Sequence, residues 1–539
     1  MKLSTRVARA GDLLTKAGHA ALREIAQAPE QRAARVLAAD VARRSPPPSG
    51  KRVTFLTPRS WASHVQWEAV IADALKLRGA AVSFVTCGGG LGICDRSNTW
   101  ESPPPPCRTC SKYVVDTLGA HGLPPSLLSD RWDDTAPEWP EIDHLGLREL
   151  AAVEHAGLPL GRLVEIPVKW FLLRSDMDED PLAALTYRRF LRSARLIADA
   201  LVAEVDRLDP EVIVLCNGLF LFEAIAIEIC RRRDIDIVTY ERGLIQETLL
   251  FGFNTIACMM DMTPHWVDWQ HRALTAAENG ELDDYLDARR YGRRSIDRYW
   301  DDVVFSSGDE PAVRLQVTLL PNLTWDSAVI GQSAAYDGLD LWIRDTIDLV
   351  AERDDVDLTI RVHPAETKLP GKQTREPVRE VIDRRFPTLP ANVRVIDSDD
   401  PTSSYSLLEQ TDVVLVFSST TGLEASMMGK PVIVAGQTHY RGKGFTIDAV
   451  DPDDYQAQLS KLLDHPASFR PDVERARRYA YLLFFRAPVE APGAIEHILG
   501  LAKLTTTSAS SIAPGADASL DRICDGILNG TDFGPEPPR

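Results

Sequence analysis

The sequence predicts an α/β chain built from two doubly wound, Rossmann-like domains. Two observations carry this. Short, continuously apolar runs such as 413–417 and 432–434 recur with helical patterns between them, as strands buried on both faces of a parallel sheet require. The alternation also occurs as two separate series, from Arg52 and from Leu315, in a chain of 539 residues, too long for one ordinary core.

Composition narrows the function. The apolar fraction is 44% and the charged fraction 26%, typical of a globular chain. The net charge of −18 argues against nucleic acid as the main partner. No apolar run approaches bilayer-spanning length, and the first residues lack a secretory core, so a cytoplasmic chain is expected.

Residues 1–50 stand apart with nine basic and four acidic side chains, ending in Pro46-Pro47-Pro48. A helical arm packed on the body is expected. The other reading is peripheral contact with the inner face of an anionic membrane. The N-terminal domain, 51–308, opens with a strand at 52–56, a helix near 65–77 and a strand at 81–86. That strand runs into Cys87, Cys94, Cys107 and Cys110. Four thiolates suit tetrahedral zinc in a closed structural site; unrelated free thiols and a redox pair are the alternatives. Helices are expected through 113–205. The sheet resumes at 212–216 and closes on Asn217-Gly218. The strand at 235–240 ends in the loop Glu241-Arg242-Gly243. Both loops lie where an acceptor pocket forms, beyond the carboxyl ends of strands. Glu241 is the candidate general base, or else a loop carboxylate paired with Arg242.

A turn-rich break at 306–311 marks the domain boundary. The C-terminal domain, 309–500, has strands at 315–320, 357–362, 392–396, 413–417 and 432–434, then helix to about 501. The tail, 501–539, reads as flexible with a short helix. The run at 413–417 breaks into Ser418, Ser419, Thr420, Thr421 and Gly422, and a helix follows. Backbone N–H groups at such a turn suit a phosphate, and small side chains let it approach. Glu424 can accept from a ribose, or close a capping box with Thr421. Arg361, His363 and Lys368, in or just beyond the 357–362 strand and grouped with Glu366, complete a cluster at the same edge. Such a cluster would hold a nucleotide's phosphates and stabilise the leaving charge without a metal. No dinucleotide fingerprint, Walker A sequence or nucleophile elbow occurs.

The segments RVHPAET (361–367) and SSTTGLEASMMGKPVIV (418–434) resemble bacterial capsule polysaccharide biosynthesis proteins, including the capsular Kdo transferases. LLPNLTWDS (319–327), NGLFLFEAIAIEIC (217–230) and YERG (240–243) are similar to segments of the same family. The resemblance implies a GT-B glycosyltransferase with two facing domains, the donor nucleotide on the C-terminal one and the acceptor on the N-terminal one. It implies that His363, Ser419 and Thr420 contact the donor phosphate, Glu424 the ribose, and Glu241 the acceptor. The implied partners are a nucleotide sugar and a saccharide or lipid-linked saccharide, with no cofactor for the chemistry. The cysteine cluster departs from the better-known Kdo transferases. The rivals are a nucleotide-sugar epimerase, a CDP-polyol phosphotransferase and a non-catalytic export or scaffold protein.

Overall fold

The computed structural model describes residues 27–101, 105–132, 139–178, 180–290, 313–326, 331–496 and 501–534. The first 26 residues of the arm and the expected boundary at 306–311 lie outside these.

In the N-terminal half, β1 (Arg52–Leu56), β2 (Ala81–Thr86), β3 (Ser126–Leu127), β4 (Val212–Cys216) and β5 (Asp236–Arg242) run parallel, in the order β5-β4-β1-β2-β3. β1 and β4 are central, and all of β4 is buried, which is why their sequences are continuously apolar. Helices Ala62–Leu77 and Cys107–Ala120 cover one face; Leu160–Leu172, Ala183–Leu208 and Leu221–Arg233 cover the other. β6 (Thr248–Phe253) returns antiparallel beside β5. Glu241 and Arg242, expected in a loop, therefore lie in β5, lengthened by its pairing with β6.

In the C-terminal half, β7 (Leu315–Leu320), β8 (Val356–Arg361), β9 (Val393–Ile396), β10 (Val413–Val416), β11 (Val432–Val434) and β12 (Ile447–Asp448) form a parallel sheet ordered β12-β11-β10-β7-β8-β9. One face carries helices Leu339–Ala351, Val378–Arg385 and Pro452–Asp464. The other carries Thr421–Met427 and Val473–Tyr481, together with Thr263–Trp269 and Ala276–Arg290. Trp266, Trp269, Leu282 and Tyr285 share a core with Val414, Val416 and Tyr479. Residues 263–290 thus pack with the C-terminal sheet, and the expected N-terminal unit ends too late at 308.

The other boundary shifts as well. Helix stops at Arg486, and β13 (Val489–Glu490) pairs antiparallel with β6 of the first sheet. β14 (Ala494–Glu496) and β15 (Ala502–Leu504) form a hairpin on helix Ala62–Leu77, where Trp67 Nε1 donates to the Ala494 carbonyl at 2.8 Å. The chain leaves the C-terminal half near residue 487, not 500. Nor is the described tail loose. Helix Ala518–Asn529 is capped by Asp517, and Leu520, Ile523, Cys524 and Ile527 are buried at helical spacing. Ala34, Leu37 and Val41 of the arm enter the same core. The Leu504 and Ala509 amides donate to Glu30 and Asp40 of the arm at 2.8 and 2.9 Å. Among the described residues no helix is long and apolar enough to cross a membrane.

Candidate active site

In an open α/β sheet the ligand crevice forms where the strand order reverses. The reversal falls between β1 and β4 in the first sheet and between β7 and β10 in the second. The turn after β10 is the Ser/Thr stretch. The loop after β7 holds Asn322, Trp325 and Asp326. His363 follows β8, so β7 alone separates it from the Ser/Thr turn, about 10 Å at two strand spacings.

The turn is built from the backbone outward. Ser419 Oγ accepts from the Thr421 amide at 3.2 Å and lies 3.1 Å from Thr421 Oγ1. Tyr440 OH donates to the Ser419 carbonyl at 2.7 Å. A Cβ on Gly422 would sit 2.2 Å from that hydroxyl, so any larger residue must displace Tyr440. His439 braces the turn from behind, with Nε2 3.5 Å from Thr420 Oγ1 and Nδ1 3.1 Å from Tyr479 OH. The helix starts at Thr421 with no side-chain cap, so the capping box does not form. Glu424 is instead buried between Tyr405 OH at 2.8 Å and Arg289 Nε at 2.9 Å.

Arg361 is 2% exposed and donates to the Asp397 and Asp400 carbonyls at 2.6 and 2.9 Å. Glu366, also buried, accepts from the Val378 amide at 3.0 Å, at the start of the Val378–Arg385 helix. Burial pushes its carboxyl up to about 7. Both side chains thus support neighbouring segments, a role their spacing did not disclose. Lys368 is exposed. His363 is half-buried, and its Nδ1 accepts from the Ala365 amide at 3.2 Å. Burial and then the Arg361 charge lower its pKa to about 4, leaving a neutral imidazole at physiological pH. Three neighbouring strand ends also present buried polar atoms without a hydrogen-bond partner: Thr324 Oγ1, Arg361 Nε and Ser418 Oγ.

Across from them, Glu241 accepts from Asn217 Nδ2 at 2.6 Å and from the Arg242 amide at 2.8 Å. Asn217 sits at φ 62°, a left-handed conformation that asparagine tolerates. Burial raises the Glu241 carboxyl, and the Asp326 charge of the opposite half adds to the rise. Glu241 therefore lies within electrostatic reach of Asp326 in the β7 loop, which runs between the His363 and Ser/Thr turns. Arg242 lies 3.4 Å from Glu496, so the Glu241–Arg242 ion pair of the alternative reading is not what holds Glu241.

The sequence reading missed a buried polar cluster at the first reversal point. Arg59 binds Glu223 through two nitrogens at 2.7 and 2.9 Å and reaches Asp95 at 3.2 Å. Arg59 also lies over the Trp61 ring at 4.7 Å. His64 Nδ1 is 3.4 Å from Cys216 Sγ, and burial lowers its pKa to about 3. Only the loop position after an apolar strand could have signalled these residues.

The two halves touch around this edge. Leu173, Leu323, Trp325 and Ala365 form a small shared core, and Trp170 meets Trp325 edge-on at 5.1 Å. A cavity of about 710 Å³ is lined from both halves by Lys169, Asp176, Thr324, Asp337, Glu376 and Phe417. It reaches the edge through Thr324 and Phe417 but is not lined by Glu241, His363 or the Ser/Thr turn. Cys87, Cys94, Cys107 and Cys110 line a separate space of about 30 Å³. Even so, no group of three or more His, Cys, Asp or Glu among the described residues is spaced to hold a metal ion.

Two Rossmann-like halves with their strand ends turned toward one edge define the GT-B class of architecture. Residues 257–464, a span that contains the second sheet, match the family described as capsule polysaccharide biosynthesis protein. No curated protein matches the chain. Among solved structures, it is similar to the KpsC beta Kdo 2,4 transferase of Thermosulfurimonas dismutans at 18% identity, over 56% of this chain and 86% of that one, with a TM-score of 0.35. The beta Kdo 2,7 transferase of the same KpsC is similar at 15% identity over 57% and 85%, with a TM-score of 0.33. A putative UDP-N-acetylglucosamine 2-epimerase from Listeria monocytogenes is similar at 10% identity over 90% and 98%, with a TM-score of 0.26.

Proposed function

We propose that the chain is a glycosyltransferase moving a sugar from a nucleotide-sugar donor to a growing capsular or other cell-surface polysaccharide. The observation that carries this is the trio of unpartnered buried polar atoms at or just beyond neighbouring strand ends, Thr324 Oγ1, Ser418 Oγ and Arg361 Nε. Buried polar groups ordinarily find partners; a bound ligand with anionic and hydroxyl groups would supply them. The nucleotide's phosphates would lie along the Ser418–Gly422 turn, with neutral His363 donating a hydrogen bond. Glu241 takes the proton of an acceptor hydroxyl. The hydroxyl oxygen bonds to the anomeric carbon as the bond to the phosphate oxygen breaks, and the nucleotide leaves onto the turn. No metal or cofactor enters these steps. The acceptor is a saccharide or lipid-linked saccharide, met at the inner face of the membrane through the basic arm.

A thermal-shift panel of UDP, GDP, CMP and CDP tests the donor side, because a ligand of the folded state raises its melting point. One nucleotide should shift the midpoint, and His363→Ala should weaken its binding by about tenfold, near 1.4 kcal/mol. Unchanged affinity and transfer in His363→Ala would falsify the site. Conversion of a nucleotide sugar with no acceptor present, followed by NMR, would favour epimerisation instead.

A further inference from the structure

Resting on glycosyl transfer as the activity, we propose that His64 binds the acceptor, donating a hydrogen bond from Nε2 to an oxygen of a saccharide that packs along Trp61, Phe220 and Trp170. His64 lies in helix Ala62–Leu77, against the ends of β4 and β5. Two consecutive residues at the end of β4 set the geometry. Cys216 Sγ lies 3.4 Å from His64 Nδ1, and Asn217 Nδ2 donates to Glu241 at 2.6 Å. One strand end thus holds both the imidazole and the proposed base.

The Cys216 contact sets the tautomer. Burial, and then the Glu241 charge, keep Cys216 a thiol, while burial keeps His64 neutral. The lone pair of a ring nitrogen is a better acceptor than a thiol sulfur, so the S–H donates to Nδ1 and the ring proton sits on Nε2. Nε2 has no hydrogen-bond partner among the described residues. Its polar neighbours do: Tyr240 OH donates to Glu68 at 2.6 Å and Trp67 Nε1 to the Ala494 carbonyl at 2.8 Å. The His64 side chain is partly exposed.

From His64 a row of rings runs toward the second half. Trp61 is 5.4 Å from His64 and 5.9 Å from Phe220. Phe220 meets Trp170 at 5.1 Å, and Trp170 meets Trp325 of the β7 loop at 5.1 Å. Trp61 and Trp170 are partly exposed, while Phe220 and Trp325 are buried behind them. A ring-lined wall with a few fixed polar groups is the usual make-up of a ligand site. The C–H faces of a sugar pack on such rings, and its hydroxyls need a donor and an acceptor beside them. His64 and Glu241 supply one of each.

Short oligosaccharides cut by mild acid from the source cell's own surface polysaccharide serve as the acceptor probe. Calorimetry should show them binding the full chain with no nucleotide present, and His64→Ala should weaken this by about tenfold. In transfer assays the acceptor KM should rise by the same factor with kcat nearly constant, the signature of lost ground-state binding. The nucleotide's melting shift should be kept. His64→Gln, whose amide N–H reaches the Nε2 position, should regain most of the affinity. A merely structural His64 would give a lower melting temperature, with glutamine no better than alanine, and would overturn the proposal. So would unchanged oligosaccharide affinity in His64→Ala, or a fall in kcat at constant KM. Should His64→Ala fail to fold, NMR of the parent chain with isotope-labelled histidine decides. The His64 proton should lie on Nε2, and its resonance should move when oligosaccharide is added; a proton on Nδ1 or an unmoved resonance overturns the assignment. If no nucleotide shifts the melting point, the transferase reading falls, while the oligosaccharide titration still decides the role of His64.

Discussion

Glu68 shows how folding sets the chemistry of one side chain. It is 2% exposed, and burial raises its carboxyl to about 8 although Thr57 and Tyr240 both donate to it. Between pH 4.5 and 8 the unfolded chain has lost this proton and the folded chain keeps it. The folded state then binds more protons, so this group's contribution to stability falls as pH rises through that window. Glu68→Gln copies the neutral acid and removes the penalty. Its melting temperature should match the parent near pH 4.5 and exceed it by a few degrees at pH 8, read by calorimetry. An equal deficit at both pH values would show an ionised Glu68. Gly422 gives a second residue-scale outcome. Gly422→Ala must displace Tyr440 OH from the Ser419 carbonyl. Nucleotide affinity should drop severalfold while far-UV circular dichroism stays unchanged; retained affinity would show that the turn takes no part in binding. The Ser/Thr turn was legible because an apolar run breaks abruptly into small hydroxylated residues. Arg59 was not, since its partner Glu223 lies 164 residues away and only the strand order brings them together.

At the scale of elements, continuous apolar strands were readable and the short or edge elements were not. β4 and β10 announce themselves because both faces are buried. β6 lacks a clean alternation, with Leu249 and Leu250 buried in succession at an antiparallel pairing, and β13 has two residues, too few to carry a period. The tail was misread because its Ser/Thr/Ala-rich lead hides the apolar spacing of Leu520, Ile523, Cys524 and Ile527. Those positions give a clear expectation. Ending the chain after Leu504 removes four large aliphatic side chains, Ile512, Leu520, Ile523 and Ile527, and Phe533 from the N-terminal core, a loss of roughly 8–15 kcal/mol at 1.5–3 kcal/mol each. The truncated chain should lose soluble yield, and its helix Ala62–Leu77 should lose protection from hydrogen exchange. Undiminished protection there would mean that the tail packs without stabilising.

At the scale of the molecule, the proposed catalysis across two lobes depends on what holds them together, and beside the Trp170–Trp325 contact a polar loop joins them. The 371–376 stretch of the second half lies against the first. The Asn98 amide nitrogen donates to the Gly371 carbonyl at 2.9 Å, and Trp100 Nε1 to that of Gln373 at 2.7 Å. Arg375 donates to Asp180 at 2.6 and 3.3 Å, and its amide to the Leu173 carbonyl at 3.0 Å. Glu376 receives Arg174 at 3.0 Å. The Asp180 carboxylate is fully buried, so losing Arg375 strands a charge whose next cation, Arg174, is 3.9 Å away. Breaking such a pair costs roughly 3–5 kcal/mol, much of it the penalty on the partner left behind. Separation of the lobes rehydrates Asp180 and relieves that penalty. Arg375→Met should therefore enlarge the radius of gyration in X-ray scattering and speed hydrogen exchange in 160–178 and 369–376 together. Asp180→Asn added to Arg375→Met should recover part of the compact form, because no stranded charge then remains. If Arg375→Met lowered the melting temperature with scattering unaltered, the pair would stabilise its surroundings without governing closure, and alignment of Glu241 with the opposite edge would have to come from the Trp170–Trp325 contact.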